Sequence, residues 1–200
     1  MFKNLFSSTS REERFWQWFT EQLPHWPEGT PTEAQQEQLQ DKIASVDPHL
    51  SVILEVSNQD KQFIITADGI KESFPHVERL QQLTPTDTGG WQVIAFRPSK
   101  PGQPFEYTNE GIQLTDQDVF YRYSDEGEAI GLELSIKGLD PENDLYEEAI
   151  IQLLEQLLGE YMTTMCIAWL TAKPLDDAEV NDLFTIQELP GMLQNMLDNN

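Results

Sequence analysis

The chain has 200 residues, 38% of them hydrophobic and 10% aromatic, which is enough apolar surface to bury a core and too much for a disordered chain. Twelve Lys and Arg stand against 35 Asp and Glu, a formal net charge of -23. The few cations are scattered singly between Lys3 and Lys173, so neither direct binding to nucleic acid nor attachment to an anionic membrane surface is expected.

The N-terminus, MFKNLFSSTSREE, has no continuous apolar run and is expected not to be a signal peptide. Ser10-Arg-Glu-Glu13 reads as a capping box opening a helix that runs to about Leu23 and stops at Pro24, because Ser and Glu satisfy each other's free backbone N–H groups. Its Phe15, Trp16, Trp18 and Phe19 form more than a narrow stripe, so this helix must lie against something. A second box, Thr30-Pro31-Thr32-Glu33, predicts a helix to about Val46, with Leu39, Ile43 and Val46 as its apolar face.

Strands are then predicted at 51–57 and 62–67 around a turn at Asn58–Lys61, followed by a helix at 74–83 and a strand at 91–97. After a proline-rich connection, Pro98–Pro104, the same order returns: strands 119–124 and 129–137, a helix 143–158 ended by Gly159, and an interior strand 160–170. Ile130, Leu132, Leu134 and Ile136 alternate with Gly131, Glu133 and Ser135, the mark of one buried and one wet face. A short helix is expected at about Glu188–Leu197.

These elements predict an α+β fold: a mostly antiparallel sheet built from two β-β-α-β units, a ferredoxin-like sandwich with two N-terminal helices and a short C-terminal one. One domain is expected, with a helical arm at 1–48, an α+β core at 49–172 and an acidic tail at 173–200.

Asp68, in FIITADGIKESFPHV, is the first candidate for chemistry, since a carboxylate at the end of a strand is well placed to take a proton or bind metal. Asp-Gly is also ordinary turn chemistry, and Ile136-Lys-Gly138 makes the same exit without an acid. The hinge reading is favoured, with Ser73 as N-cap and Pro75 in the first helical turn. His25, His49 and His76 share no ligand spacing and read as loop polarity. The acids Asp176, Asp177, Glu179 and Asp182 lack the Gly and alternation of a calcium loop and read as a solvated face. Cys166 is the only cysteine; it allows no intrachain disulfide, fits a reducing cytoplasmic compartment, and reads as a small core residue. No Gly-x-Ser-x-Gly turn and no phosphate-cradling Gly-rich loop occurs.

The segments FIITADG, FPHVERL, WQVIAFRP and LGEY begin at residue 63 and span roughly half the chain. The set resembles a family of uncharacterised bacterial proteins in which a strand ending in S/T-A-D-G is followed by F-P-x-V and W-x-V-x-A-F-R. The resemblance implies a bacterial cytosolic protein and transfers no activity or catalytic residue. There is a weaker, fold-level likeness to ferredoxin-like regulators of RNA-processing enzymes, by analogy.

Three readings of the acidity stay open: solubility, docking of a basic partner, and mimicry of nucleic acid. From Gly138 onward there are thirteen acids and one base, Lys173. The leading expectation is a non-enzymatic, acidic protein-interaction or regulatory module that binds a basic protein surface by charge complementarity. No catalytic residue, cofactor or metal is expected. The alternative is a small-ligand-binding protein or hydrolytic enzyme with a site on the open sheet face, from Glu55, Arg97, Tyr121 and Glu133.

Overall fold

Ser10 opens the first helix, α1 (Arg11–Gln22). Its hydroxyl accepts the Glu13 N–H at 3.1 Å while the Glu13 carboxylate accepts the Ser10 N–H at 2.7 Å, the reciprocal box that the sequence predicts. The computed structural model describes residues 9–57 and 60–199. The N-terminal stretch 1–8, and Asn58 and Gln59 of the predicted turn, lie outside the described residues. The chain divides into two compact units, Met1–Arg97 and Pro98–Asn200, and the division falls inside the 49–172 span that the sequence reading treats as one core.

In the first unit, α2 (Glu33–Ala44) starts later than predicted. Thr32, not Thr30, is its N-cap, because Gln35 Oε1 accepts the Thr32 N–H at 2.9 Å; Pro31 therefore precedes the helix. Strands β1 (Ser51–Ser57) and β2 (Asp60–Thr66) pair antiparallel, and the chain returns through α3 (Phe74–Gln82) to β3 (Trp91–Ala95), parallel to β2. The order β1-β2-β3 puts β2 in the middle, which is why Phe63, Ile64 and Ile65 are buried on both parities. The aromatic face of α1 lies on this sheet, Trp16 at 5.9 Å and Phe19 at 5.2 Å from Phe63 between ring centroids. Trp16 can be buried because its indole N–H donates to the Leu80 carbonyl at 2.8 Å.

The hinge at Asp68 has more structure than a turn. Asp68 and Gly69 both take left-handed backbone, φ 49° and 74°, and the Asp68 carboxylate accepts from Arg97. Phe96, between β3 and Arg97, is left-handed as well (φ 65°); its N–H donates to the Ile65 carbonyl at 2.8 Å and its ring packs 4.5 Å from Phe74. The exits of β2 and β3 are thus tied together. Ser73 holds the N-cap position of α3 as expected, but its side chain makes no capping bond: it ends a 3-10 turn, Lys71–Ser73, and its hydroxyl donates to Asp47 Oδ1 at 2.8 Å. Pro75 does sit in the first turn of α3.

In the second unit, the proline-rich connection leads into a hairpin the sequence reading misses, β4 (Glu106–Asn109) and β5 (Ile112–Thr115), turned by Glu110 and Gly111 at φ 42° and 90°. Strands β6 (Val119–Asp125) and β7 (Ile130–Ile136) pair antiparallel. The long helix α4 (Leu145–Cys166) follows, and then β8 (Ile167–Pro174), parallel to β7. A two-residue strand, β9 (Phe184–Thr185), joins the far side of β6, and α5 (Leu189–Asn199) closes the unit. The sheet order is β8-β7-β6-β9. Leu132, Leu134, Ile136 and Tyr121 meet Leu153, Leu154 and Leu193 in one buried cluster.

The predicted interior strand at 160–170 is corrected. Gly159 (φ 78°, ψ 160°) breaks α4, but the chain resumes helix to Cys166, which keeps Cys166 in the core and leaves Tyr161 exposed. The strand proper starts at Ile167 and lies at the sheet edge. A run apolar on both parities suits a helix against a core as well as a central strand. Among the described residues the fold is mixed α+β, with five α-helices and mostly antiparallel strand pairing. The described strands fall into three sheets, where the sequence reading expects one.

Candidate binding groove

Alternation along β6 puts Tyr121, Tyr123 and Asp125 on one face, the face that the core uses. Tyr121 is buried, but Tyr123 and Asp125 are exposed. Facing them, Glu188, Met192, Asn195 and Met196 recur at intervals of three or four residues along one side of α5 and the turn before it. Phe184, opposite Tyr121 in the β6–β9 pairing, supplies the remaining wall. The result is an open groove of about 700 Å³ within the second unit.

Its lining is aromatic and acidic. The rings of Tyr121, Tyr123 and Phe184 are mutually tilted, with centroids 5.5 to 6.4 Å apart. Tyr123 and Phe184 are 41% and 48% exposed, unusual for aromatics that a core had room to take. Glu188 is held in place, its Oε2 accepting the Thr185 N–H at 2.8 Å and the Thr185 hydroxyl at 2.9 Å. Asp125 Oδ1 accepts the Gly127 N–H at 2.8 Å. None of the residues lining the groove is Lys or Arg. The Tyr121 hydroxyl is buried with no hydrogen-bond partner among the described residues. Burial first, then the negative field of Glu188 and the neighbouring Tyr123, push its pKa up to about 12.

The four residues expected on a wet sheet face are divided between the two units. Glu55 and Arg97 belong to the first unit and Tyr121 and Glu133 to the second. Glu55 is half-buried on β1, and Arg97 is engaged by Asp68. Tyr121 pairs with Leu134 and Arg122 with Glu133, so Tyr121 and Glu133 project from opposite faces of one sheet. Glu133 is bound to Lys173 at 3.1 Å, and Lys173 in turn to Glu179 at 3.4 Å. Tyr121 is instead buried, in one cluster with Ile186, Leu189 and Leu193 of the segment that follows β9.

Histidine 76 departs from the loop reading too. It sits in α3 with Nδ1 2.8 Å from Glu12 Oε1 and Nε2 3.9 Å from Asp47 Oδ2. Burial opposes ionisation of Glu12, but bonds from His76, its own backbone N–H and Ser10 outweigh it and hold the carboxyl below its ordinary 4.5. Asp47 is likewise held below 3.8, burial being outweighed by the His49 N–H, the Ser73 hydroxyl and the charge of His76. Ser73 is buried and donates to Asp47, not to His76, so the set is a structural tie between helices and lacks an activated nucleophile.

Among the described residues, no group of three or more His, Cys, Asp and Glu is placed to hold a metal ion. Cys166 is buried, and burial pushes its thiol pKa up. No helix of the described residues is long and apolar enough to cross a membrane. Of the groove residues, the sequence reading names Tyr121 as a site candidate. It passed over Phe184, Asp125 and Glu188; the signal for Asp125 was the parity it shares with Tyr121 and Tyr123. Comparison with protein-family models, curated proteins and solved structures finds no match for this chain.

Proposed function

We propose that this protein is a non-enzymatic, acidic interaction or regulatory module whose second unit binds a basic protein surface. The observation that carries the reading is the composition of that unit. Residues 98–200 hold twenty-one Asp and Glu against four Lys and Arg, whereas residues 1–97 hold fourteen against eight. Exposed Tyr123 and Phe184 stand within this acidic field, and aromatics enrich the contact cores of interfaces where charge steers the encounter.

The test is a fluorescence anisotropy titration of the full chain with a labelled basic peptide and an acidic control at 50 and 300 mM NaCl. The basic peptide is expected to bind, with affinity falling steeply at the higher salt, and amide shifts are expected to concentrate in residues 98–200. Absence of binding at 50 mM NaCl refutes the reading, as does an even spread of shifts over both units.

We infer in addition that both units follow one β-β-α-β plan. Its support is that β1–β2–α3–β3 and β6–β7–α4–β8 each join an antiparallel pair to a parallel crossover. Kinship with the bacterial cytosolic family of the S/T-A-D-G motifs is also proposed. It is supported by the contacts among motif residues, Asp68 with Arg97 and Phe74 with Phe96.

A further inference from the structure

We propose that the groove between β6, β9 and α5 takes an arginine side chain from an extended basic segment of the partner, laid as an added strand along the free edge of β6. This rests on the reading of the second unit as a binder of basic protein.

Three features of the groove converge on that occupant. The first is the edge. Pairing of β9 with β6 stops at Tyr121, so from Arg122 to Asp125 strand β6 has a neighbour, β7, on one side only among the described residues. Such an edge offers backbone N–H and C=O groups to another chain, and alternate side chains of an added strand fall on one face. Here that face is the groove, because Tyr121, Tyr123 and Asp125 line it.

The second is charge. Asp125 and Glu188 are exposed in the lining with no cation beside them there, and both are oriented by backbone N–H donors. The third is shape and polarity. Tyr123 and Phe184 are exposed, their rings tilted at 44° with centroids 6.2 Å apart, and Tyr121 beside them has a buried hydroxyl without a hydrogen-bond partner among the described residues. A guanidinium is planar, stacks on aromatic faces, and carries five donors in a fixed fork. It serves both carboxylates and offers the hydroxyl oxygen a donor. A lysine ammonium is a compact, strongly hydrated charge that does not stack. Met192 and Met196 supply adaptable thioether walls for the alkyl stem.

The experiment uses the full chain and two fluorescein-labelled heptapeptides, one alternating Thr with Arg and one alternating Thr with Lys, titrated at 100 mM NaCl. The Arg peptide is expected to bind about tenfold more tightly than the Lys peptide, and Tyr123→Ala or Phe184→Ala to weaken it by about tenfold. Glu188→Gln should weaken it several-fold, and Glu147→Gln, an equal loss of charge outside the groove, should leave it unchanged. Amide resonances of Tyr123–Asp125 in the unsubstituted protein should shift most; if a variant fails to fold, this map decides, and shifts confined elsewhere overturn the assignment. Equal affinity for both peptides, unaffected by the Tyr123 and Phe184 substitutions, overturns the groove while leaving the charge reading standing. Binding of neither peptide overturns both. A dimer dissociated by Phe184→Ala would give the groove to a second copy of this chain and overturn the proposal as well.

Discussion

Gly131→Ala tests the packing of the second sheet most directly. Gly131 on β7 pairs with Trp169 on β8, and the indole lies over the glycine. A Cβ at this position would stand 2.0 Å from Trp169 Cε2 and 2.3 Å from Nε1. Carbon atoms rest about 3.5–4.0 Å apart, so the ring must retreat by about 1.5–2 Å. Retreat also removes the indole N–H bond to Glu126 Oε1 at 3.2 Å. Trp169 is 43% exposed and has solvent to move into, so the cost falls in the lower part of the overpacking range, about 1–2 kcal/mol. For a chain of this size that lowers Tm by about 2–8 °C. Circular dichroism melts read the stability, and the Trp169 indole N–H resonance, assigned through Trp169→Phe, reads the displacement. The decisive comparison is a double-mutant cycle. In a Trp169→Ala background the obstruction is absent, and Gly131→Ala should be neutral or stabilising, because Ala loses less backbone entropy than Gly in a strand. An equal cost with and without the indole would refute the steric reasoning.

Two further substitutions address the ties within each unit. Gly159 has φ 78° and ψ 160° inside α4, a region closed to residues with a Cβ, so Gly159→Ala should cost about 1–3 kcal/mol and lower the urea midpoint; an unchanged midpoint would show that the helix break does not need glycine. Glu12 and Asp47 have depressed pKa values, so in the unfolded chain they bind protons at higher pH than in the folded one. Their stabilisation is complete above about pH 4.5 and lost as pH falls through the lower folded values. Glu12→Gln with Asp47→Asn should therefore flatten the loss of stability below about pH 4.5, an effect that the partial exposure of His76 keeps modest. An acid-denaturation profile identical to that of the unsubstituted protein would contradict the role assigned to the Glu12–His76–Asp47 set.

What the sequence disclosed and what it withheld separate along physical lines. Local chemistry was legible: Ser10 and Glu13 are three residues apart and form their box whatever else the chain does, and the alternation of Ile130 to Ile136 needs only one dry and one wet face. Readings that depended on a distant partner were not. Ser73 stands at the N-cap of α3, but Asp47, remote in sequence, takes the hydroxyl that would cap it. Met162 to Leu170 is apolar on both parities because the end of a helix and the start of an edge strand each present a different side to the core, and no single period describes them. Short strands carried least signal, so β4, β5 and β9 were missed.

The groove belongs to this last kind. Tyr121, Tyr123 and Asp125 read as one face of a strand, but whether that face is core or surface depends on how far α5 reaches along it. Glu188 to Met196 shows a helical face with no indication of what it opposes. Only the β6–β9 pairing, two residues long, brings Phe184 beside Tyr121 and leaves the rest of that strand edge without a paired strand among the described residues. An edge strand that stops early exposes both backbone groups and the side chains of the next turn of the pleat. The feature that made β9 invisible in the sequence is therefore the one that opens the site, and lengthening β9 past Tyr121 is the change that would close it.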